Sequence, residues 1–223
     1  MKYGQIAGSK RINAFIYDCF SHLVEEDQQK FVKRFRNQPH DSNEVMHTFR
    51  ELVLGAYLCS RGFEARYESV VEGFTPDWSI VGAQSEVTAI VELATFHLDM
   101  ATEQEIDDQL RAKGLSCVWR DARKNNVDRL YHCLWHKAQT YRQLVTALGI
   151  PYVVAVFPDF RASVDLEEIR SCLSGDETGL FRMYSELSGV LCFEETGGRY
   201  SFAYEPNPVA VRPMDIPVGD FPS

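Results

Sequence analysis

The strongest constraint on the fold is a double change of apolar spacing between residues 43 and 160. The first part is helical. Val45, Phe49, Leu52, Val53, Leu54, Ala56, Tyr57 and Leu58 surround a helix expected to run from Asp41 or Ser42 to about Arg61. A helix that is apolar on all sides is a buried one. Glu44, three residues after Asp41, gives a capping-box-like start, and Gly62 supplies the stop. The spacing then becomes strand-like over 63–73, 76–81 and 86–96, with turn residues at Gly73 and over 82–85. Three consecutive antiparallel strands are expected. A polar stretch over 99–126, helical in part, leads to a long helix over 126–148, which Gly149 and Pro151 end. The apolar run 152–157 has strand length and reads as a strand buried in the sheet.

Outside this core, Ile12, Phe15, Ile16, Cys19, Phe20, Leu23, Phe31, Val32 and Phe35 mark an amphipathic helix over 10–37, or two helices joined near Glu26 and Asp27. Pro39 breaks it. Residues 165–187 read as helical. Segments 189–194 and 199–204 flank Thr196, Gly197 and Gly198 as a hairpin. The proline-containing tail reads as an extended wrap. The simplest division of the 223 residues is an N-terminal helical extension over 1–40 and one α/β domain over 41–223.

No run of about 18 uncharged apolar residues occurs, so no membrane helix is expected. The first fifteen residues are basic but lack an apolar core before a cleavage site, so no signal peptide is expected. The six cysteines form no C-x-x-C pair and sit in apolar runs. Buried free thiols and a reducing cytoplasm follow. The net charge of −9 argues against a simple electrostatic nucleic-acid binder.

Three acids stand out by their surroundings. Glu51 lies within the apolar helix, Asp77 opens the second strand in Thr75-Pro76-Asp77-Trp78, and Glu92 sits inside Ile90-Val91-Glu92-Leu93-Ala94. A buried carboxylate is costly unless it is paired or metal-bound. Asp77 and Glu92 fall on adjacent strands and can converge. Oxygen donors of this kind suit Mg²⁺ or Mn²⁺ and not zinc. For each acid alone, a satisfied salt bridge is the competing explanation.

The order of these parts resembles the PD-(D/E)xK nuclease superfamily. The resemblance rests on the helix bearing Glu51, then Gly73-Phe74-Thr75-Pro76-Asp77-Trp78, then the apolar strand with Val91-Glu92. A long helix and Pro151-Tyr152-Val153-Val154-Ala155-Val156 complete it, over roughly 43–160. It implies a restriction-endonuclease-like α-β-β-β-α-β core with a mixed sheet, and Mg²⁺-dependent hydrolysis of DNA phosphodiester bonds. Asp77 and Glu92 match the metal ligands, and Glu51 matches the helix acid. The lysine that positions or activates water in that family is replaced here by Ala94, on the Glu92 face of the strand. Lys137 on the long helix borders the apolar stripe and is the candidate substitute. The alternative is a catalytically inactive nuclease fold that serves as a binding or interaction module.

His132 and His136 have zinc-compatible spacing, but they lie opposite the apolar stripe, which favours a solvated face. His97 and Asp99 follow the third strand and are candidates for the site's rim. Phosphate-loop, dinucleotide-fold and G-x-S-x-G signatures do not occur. From Gln109 to Arg142, eight basic residues face two aspartates, a net of +6 in a chain whose remainder carries −15. Such a stretch is suited to phosphates even on an acidic protein. A homodimer or a partner subunit is expected, with the N-terminal helix as its interface.

Overall fold

The computed structural model describes residues 10–37, 42–97, 100–113, 120–159, 162, 164–175 and 178–222. The expectations attached to Pro39, Asp41, Asp99 and Cys117 lie outside these residues.

Helices α1 (Lys10–His22), α2 (Glu25–Asn37) and α3 (Ser42–Ser60) precede strands β1 (Ala65–Tyr67), β2 (Trp78–Val81) and β3 (Val87–Phe96). Helices α4 (Met100–Lys113), α5 (Arg120–Thr140) and α6 (Arg142–Leu148) lead to β4 (Tyr152–Pro158). Helices α7 (Leu166–Ser174) and α8 (Leu180–Met183) lead to β5 (Gly189–Thr196), β6 (Arg199–Pro206) and β7 (Gly219–Phe221). The seven strands form one sheet in sequence order. β3, β4 and β5 are parallel neighbours, and every other pairing is antiparallel.

Both parallel connections carry helices, as a parallel pairing requires a crossover. The central strands are therefore covered on both faces, and alternate residues enter two different cores. Val153, Ala155 and Phe157 pack with Leu52, Leu54 and Phe31 of the N-terminal helices. Tyr152, Val154 and Val156 pack with Leu130, Leu134 and Ala138 of α5 and with Ile169 and Leu173 of α7. This two-sided burial is why residues 152–157 read as an uninterrupted apolar run.

The residues of the expected helical extension are part of the first core: Cys19 and Phe31 are fully buried. The Phe31 ring stacks on Tyr67 and Trp78. α2 also closes the sheet edge at β1. Tyr67 N–H donates to Asp27 Oδ2 at 3.1 Å, and Lys30 Nζ donates to the Tyr67 carbonyl at 2.7 Å. Two side chains thus occupy groups that would otherwise pair with another strand.

Several boundaries differ from the sequence reading for local reasons. α1 and α2 part at Leu23–Val24, where Gln28 Nε2 takes up the carbonyls of Phe20 and Leu23, both at 2.9 Å. Glu25, Glu26 and Asp27 instead form the first turn of α2, where acids favour a helix N-terminus. The strand expected over 63–73 keeps only three residues, because Glu68 and Glu72 turn to φ 44° and 49°. The long helix starts at Arg120 and breaks at Tyr141. The tail returns to the sheet as β7 beside β6.

Gly55 fixes how α3 meets the sheet. A Cβ there would fall 1.9 Å from Trp78 Cζ2, so the indole rests directly on the helix backbone. Trp78 Nε1 donates to the Glu51 carbonyl at 3.1 Å, anchoring the start of β2 beneath Glu51.

Candidate active site at the open edge of the third strand

β2 pairs with β3 only as far as Trp78↔Val91, while β3 continues to Phe96 alongside β4. Beyond Val91, one edge of β3 therefore has no strand partner among the described residues. Asp77, just before β2, turns across this edge, and its Oδ2 accepts from Leu93 N–H at 2.7 Å. Glu92 reaches back, and its Oε2 accepts from Asp77 N–H at 3.1 Å. The two carboxylates are locked side by side by reciprocal backbone bonds.

Lys137 of α5 donates to Glu92 Oε1 at 2.8 Å. Ala94 lies next along the same face of β3, fully within the second core. The amine that Ala94 lacks thus reaches the Asp77–Glu92 pair from the facing helix. Two tyrosines fix this arrangement. Tyr152 O–H donates to the Lys137 carbonyl at 2.7 Å, and Tyr141 O–H donates to the Thr75 carbonyl at 3.2 Å.

The electrostatics follow from burial and like charge. Burial, then Glu92, then Glu51 push the Asp77 carboxyl up to about 7, against the opposing pull of Lys137. Burial by itself would lower the Lys137 amine, but Glu92 and Asp77 more than offset it and leave it raised. Lys137 is therefore an ammonium at neutral pH. It supplies charge and hydrogen bonds, while Asp77 exchanges a proton near neutrality.

Glu51 sits close enough to raise Asp77, but its own oxygens are occupied. Oε2 accepts from Tyr67 O–H at 2.7 Å and pairs with Arg34 Nη1 at 3.2 Å. Oε1 lies 3.2 Å from His47 Nε2. The structure thus brings Asp77, Glu92 and Lys137 together and holds Glu51 in an adjoining nest.

A cleft of about 470 Å³ opens above β3, lined by Arg34, His47, Thr95, His97 and Lys137 among others. His97 therefore does reach the rim. Its Nε2 lies 3.4 Å from Arg50 Nη1, and its Nδ1 lies 3.7 Å from Asp159 Oδ2. His47 Nδ1 meets Thr95 Oγ1 at 2.8 Å. Arg34, His47, Arg50 and Asp159 escaped the sequence reading. The available signal was a histidine and an arginine, His47 and Arg50, inside the otherwise apolar α3. His132 and His136 are solvent-exposed.

Part of the basic stretch is engaged within the fold. Arg129 donates to the His97 carbonyl at 3.1 Å, Arg142 pairs with Glu186 at 2.9 Å, and Lys137 is held by Glu92. The side chains of Lys113, Arg120, Arg123 and Lys124 lie outside the described residues. Among the described residues, five cysteines are free thiols, no group of three or more His, Cys, Asp or Glu is arranged to hold a metal, and no helix is long and apolar enough to cross a membrane. Comparison with family models, with curated proteins and with solved structures gave no match.

Proposed function

We propose that the chain is a Mg²⁺-dependent nuclease, Mn²⁺ serving equally, which hydrolyses DNA phosphodiester bonds at the open edge of β3. One observation carries the reading: Asp77, Glu92 and an ammonium from Lys137 meet at an edge of β3 that no described strand pairs, next to a cleft lined by Leu93, Ala94, Thr95 and Lys137. The order α3-β1-β2-β3, then the helical crossover α4-α5-α6, then β4, supports a restriction-endonuclease-like core of the PD-(D/E)xK kind.

The donor set fits a hard divalent cation. Asp77 Oδ1 has no partner among the described residues, and the like charge of Glu92 and Glu51 raises Asp77 even with the Lys137 ammonium beside the pair. Asp77 and Glu92 would hold the ion, and Glu51 would support it through its charge. When bound, the ion supplies charge stabilisation to the phosphate and an acidified water. In the reaction a water oxygen bonds to phosphorus and one ester P–O bond breaks. The water loses a proton, and the leaving oxygen gains one. Both protons would pass through solvent water, because an Asp77 carboxylate holding the ion has already given up its own. Lys137 stays charged and faces the negative charge that builds on the phosphate.

Cleavage of supercoiled plasmid with Mg²⁺ or Mn²⁺ tests this. Wild type nicks or linearises the plasmid, and Asp77→Ala does not. Equal products from both proteins, or none with either metal, overturn the reading.

The Lys137–Glu92 ion pair also favours a second reading, in which the fold is a non-catalytic interaction module. An occupied Glu92 oxygen is a weaker metal ligand. This module would show no rise in melting temperature with divalent ions. We infer a cytoplasmic setting from the free thiols. We also infer a homodimer or a partner subunit that adds DNA contacts, and a concentration-independent monomer mass by light scattering would refute the homodimer.

A further inference from the structure

α2 delivers one more cation to the cleft. The hydrogen bonds and ion pairs of Arg34 among the described residues run through a single nitrogen, and its guanidinium carbon lies 5.9 Å from the centre of the Tyr67 ring. Nη1 meets Glu51 Oε2 at 3.2 Å, Glu68 Oε1 at 2.7 Å, and the Tyr67 hydroxyl. Nε and Nη2 have no partner among the described residues, and neither is a buried orphan. The free side of the guanidinium belongs to a residue that lines the cleft.

This division of labour is informative. Neutralising Glu51 needs one donor and a positive charge, which a lysine supplies. A planar guanidinium held by one nitrogen keeps its remaining edge as a rigid two-pronged donor, which matches two oxygens of a phosphate. Glu51, Glu68 and Tyr67 orient that edge. Lys137, which lines the same cleft, is spent on Glu92 and offers a point charge instead.

We propose that Arg34 anchors the substrate by gripping the non-bridging oxygens of one phosphodiester in the cleft also lined by Lys137. This rests on the phosphodiesterase reading above. It makes Arg34 a substrate-binding residue, and it makes the N-terminal helices a part of the site. Glu51, Glu68 and Tyr67 become positioning residues that act through Arg34.

The test is the affinity of the full chain for a fluorescent twelve-nucleotide oligodeoxynucleotide, single- or double-stranded. It is measured by anisotropy in Ca²⁺, with a neutral methylphosphonate placed at one linkage at a time. Wild type loses about tenfold in affinity at one linkage, equal to about 1.4 kcal/mol. Arg34→Lys keeps the charge beside Glu51 and loses less than about twofold at that linkage, because the contact is already gone. Arg34→Gln, which keeps a donor for Glu51, behaves the same way if the lysine variant misfolds. A purely structural arginine would weaken every linkage alike. Identical linkage profiles in wild type and both variants therefore overturn the assignment. A wild type that cuts plasmid yet shows no linkage sensitivity overturns the role of Arg34 alone. A wild type that neither cuts nor binds overturns both readings.

Discussion

Glu51 and Asp77 are neighbouring acids at one end of the sheet, and the fold treats them in opposite ways. Glu51 receives Tyr67, Arg34 and His47 from three different elements, so its burial is matched by hydrogen bonds and charge. Asp77 receives one backbone N–H on one oxygen and faces two like charges against the single ammonium of Lys137, which is itself bonded to Glu92. A satisfied buried charge is structural, and removing it leaves its partners stranded. An under-satisfied one persists only where something else uses it, and Asp77 borders the open edge of β3.

The largest expected effect tests the satisfied half of this contrast. Glu51→Ala leaves Arg34 with Glu68 as its remaining carboxylate, strands the Tyr67 O–H and costs about 3 kcal/mol, the lower end for breaking a buried pair. Thermal unfolding should show a fall on the order of 10 °C. An unchanged melting temperature would place Glu51 outside the framework.

Next comes the cation expected at the other half. Mn²⁺ at a hundred times its dissociation constant should stabilise the fold by about 2.7 kcal/mol, or roughly 5–10 °C. The shift should vanish in Asp77→Asn and Glu92→Gln and survive in Glu51→Gln. It should also weaken as pH falls below about 7, because the metal displaces the Asp77 proton. A shift of equal size in all three variants would mean that the ion binds elsewhere.

Without metal, Asp77→Asn should stabilise the protein. The folded carboxyl is raised from 3.8 to about 7, so the folded state is penalised for ionising it. The penalty is absent below about pH 4, grows through the interval, and is complete above about pH 7. The asparagine variant should gain about 2 kcal/mol at pH 8 and nothing near pH 4. A constant difference across this range would contradict an under-satisfied Asp77.

The smallest effect concerns Lys137, whose side chain is 30 % exposed. Lys137→Met should cost about 1 kcal/mol in urea unfolding at pH 7, given solvent screening of the pair. Because the amine is raised from 10.5, the contribution persists through neutral pH and is lost only above that value. A cost several times larger would make Lys137 a framework residue like Arg34's partner Glu51.

Much of the molecule was legible in one dimension. The all-round apolar pattern of α3 announced a buried helix, and the run at 152–157 announced a strand covered on both faces. Spacing also marked Glu51, Asp77 and Glu92 as acids in apolar surroundings, and placed Lys137 at the border of its helix's apolar stripe. These signals are periodic, and period reports which face of an element is buried. The short β1, the break at Leu23, the return of the tail as β7 and the roles of Arg34 and His47 carried no such signal. They depend on contacts between residues far apart in sequence.

The sequence by itself determined the alternation of helices and strands and the costly burial of three carboxylates. Local spacing is enough to decide which side of each element avoids water. Only the tertiary structure decided which carboxylate would be satisfied. That outcome depended on where β2 stops along β3, on how closely Gly55 lets Trp78 approach, and on α2 carrying Arg34 to Glu51 and not to Asp77.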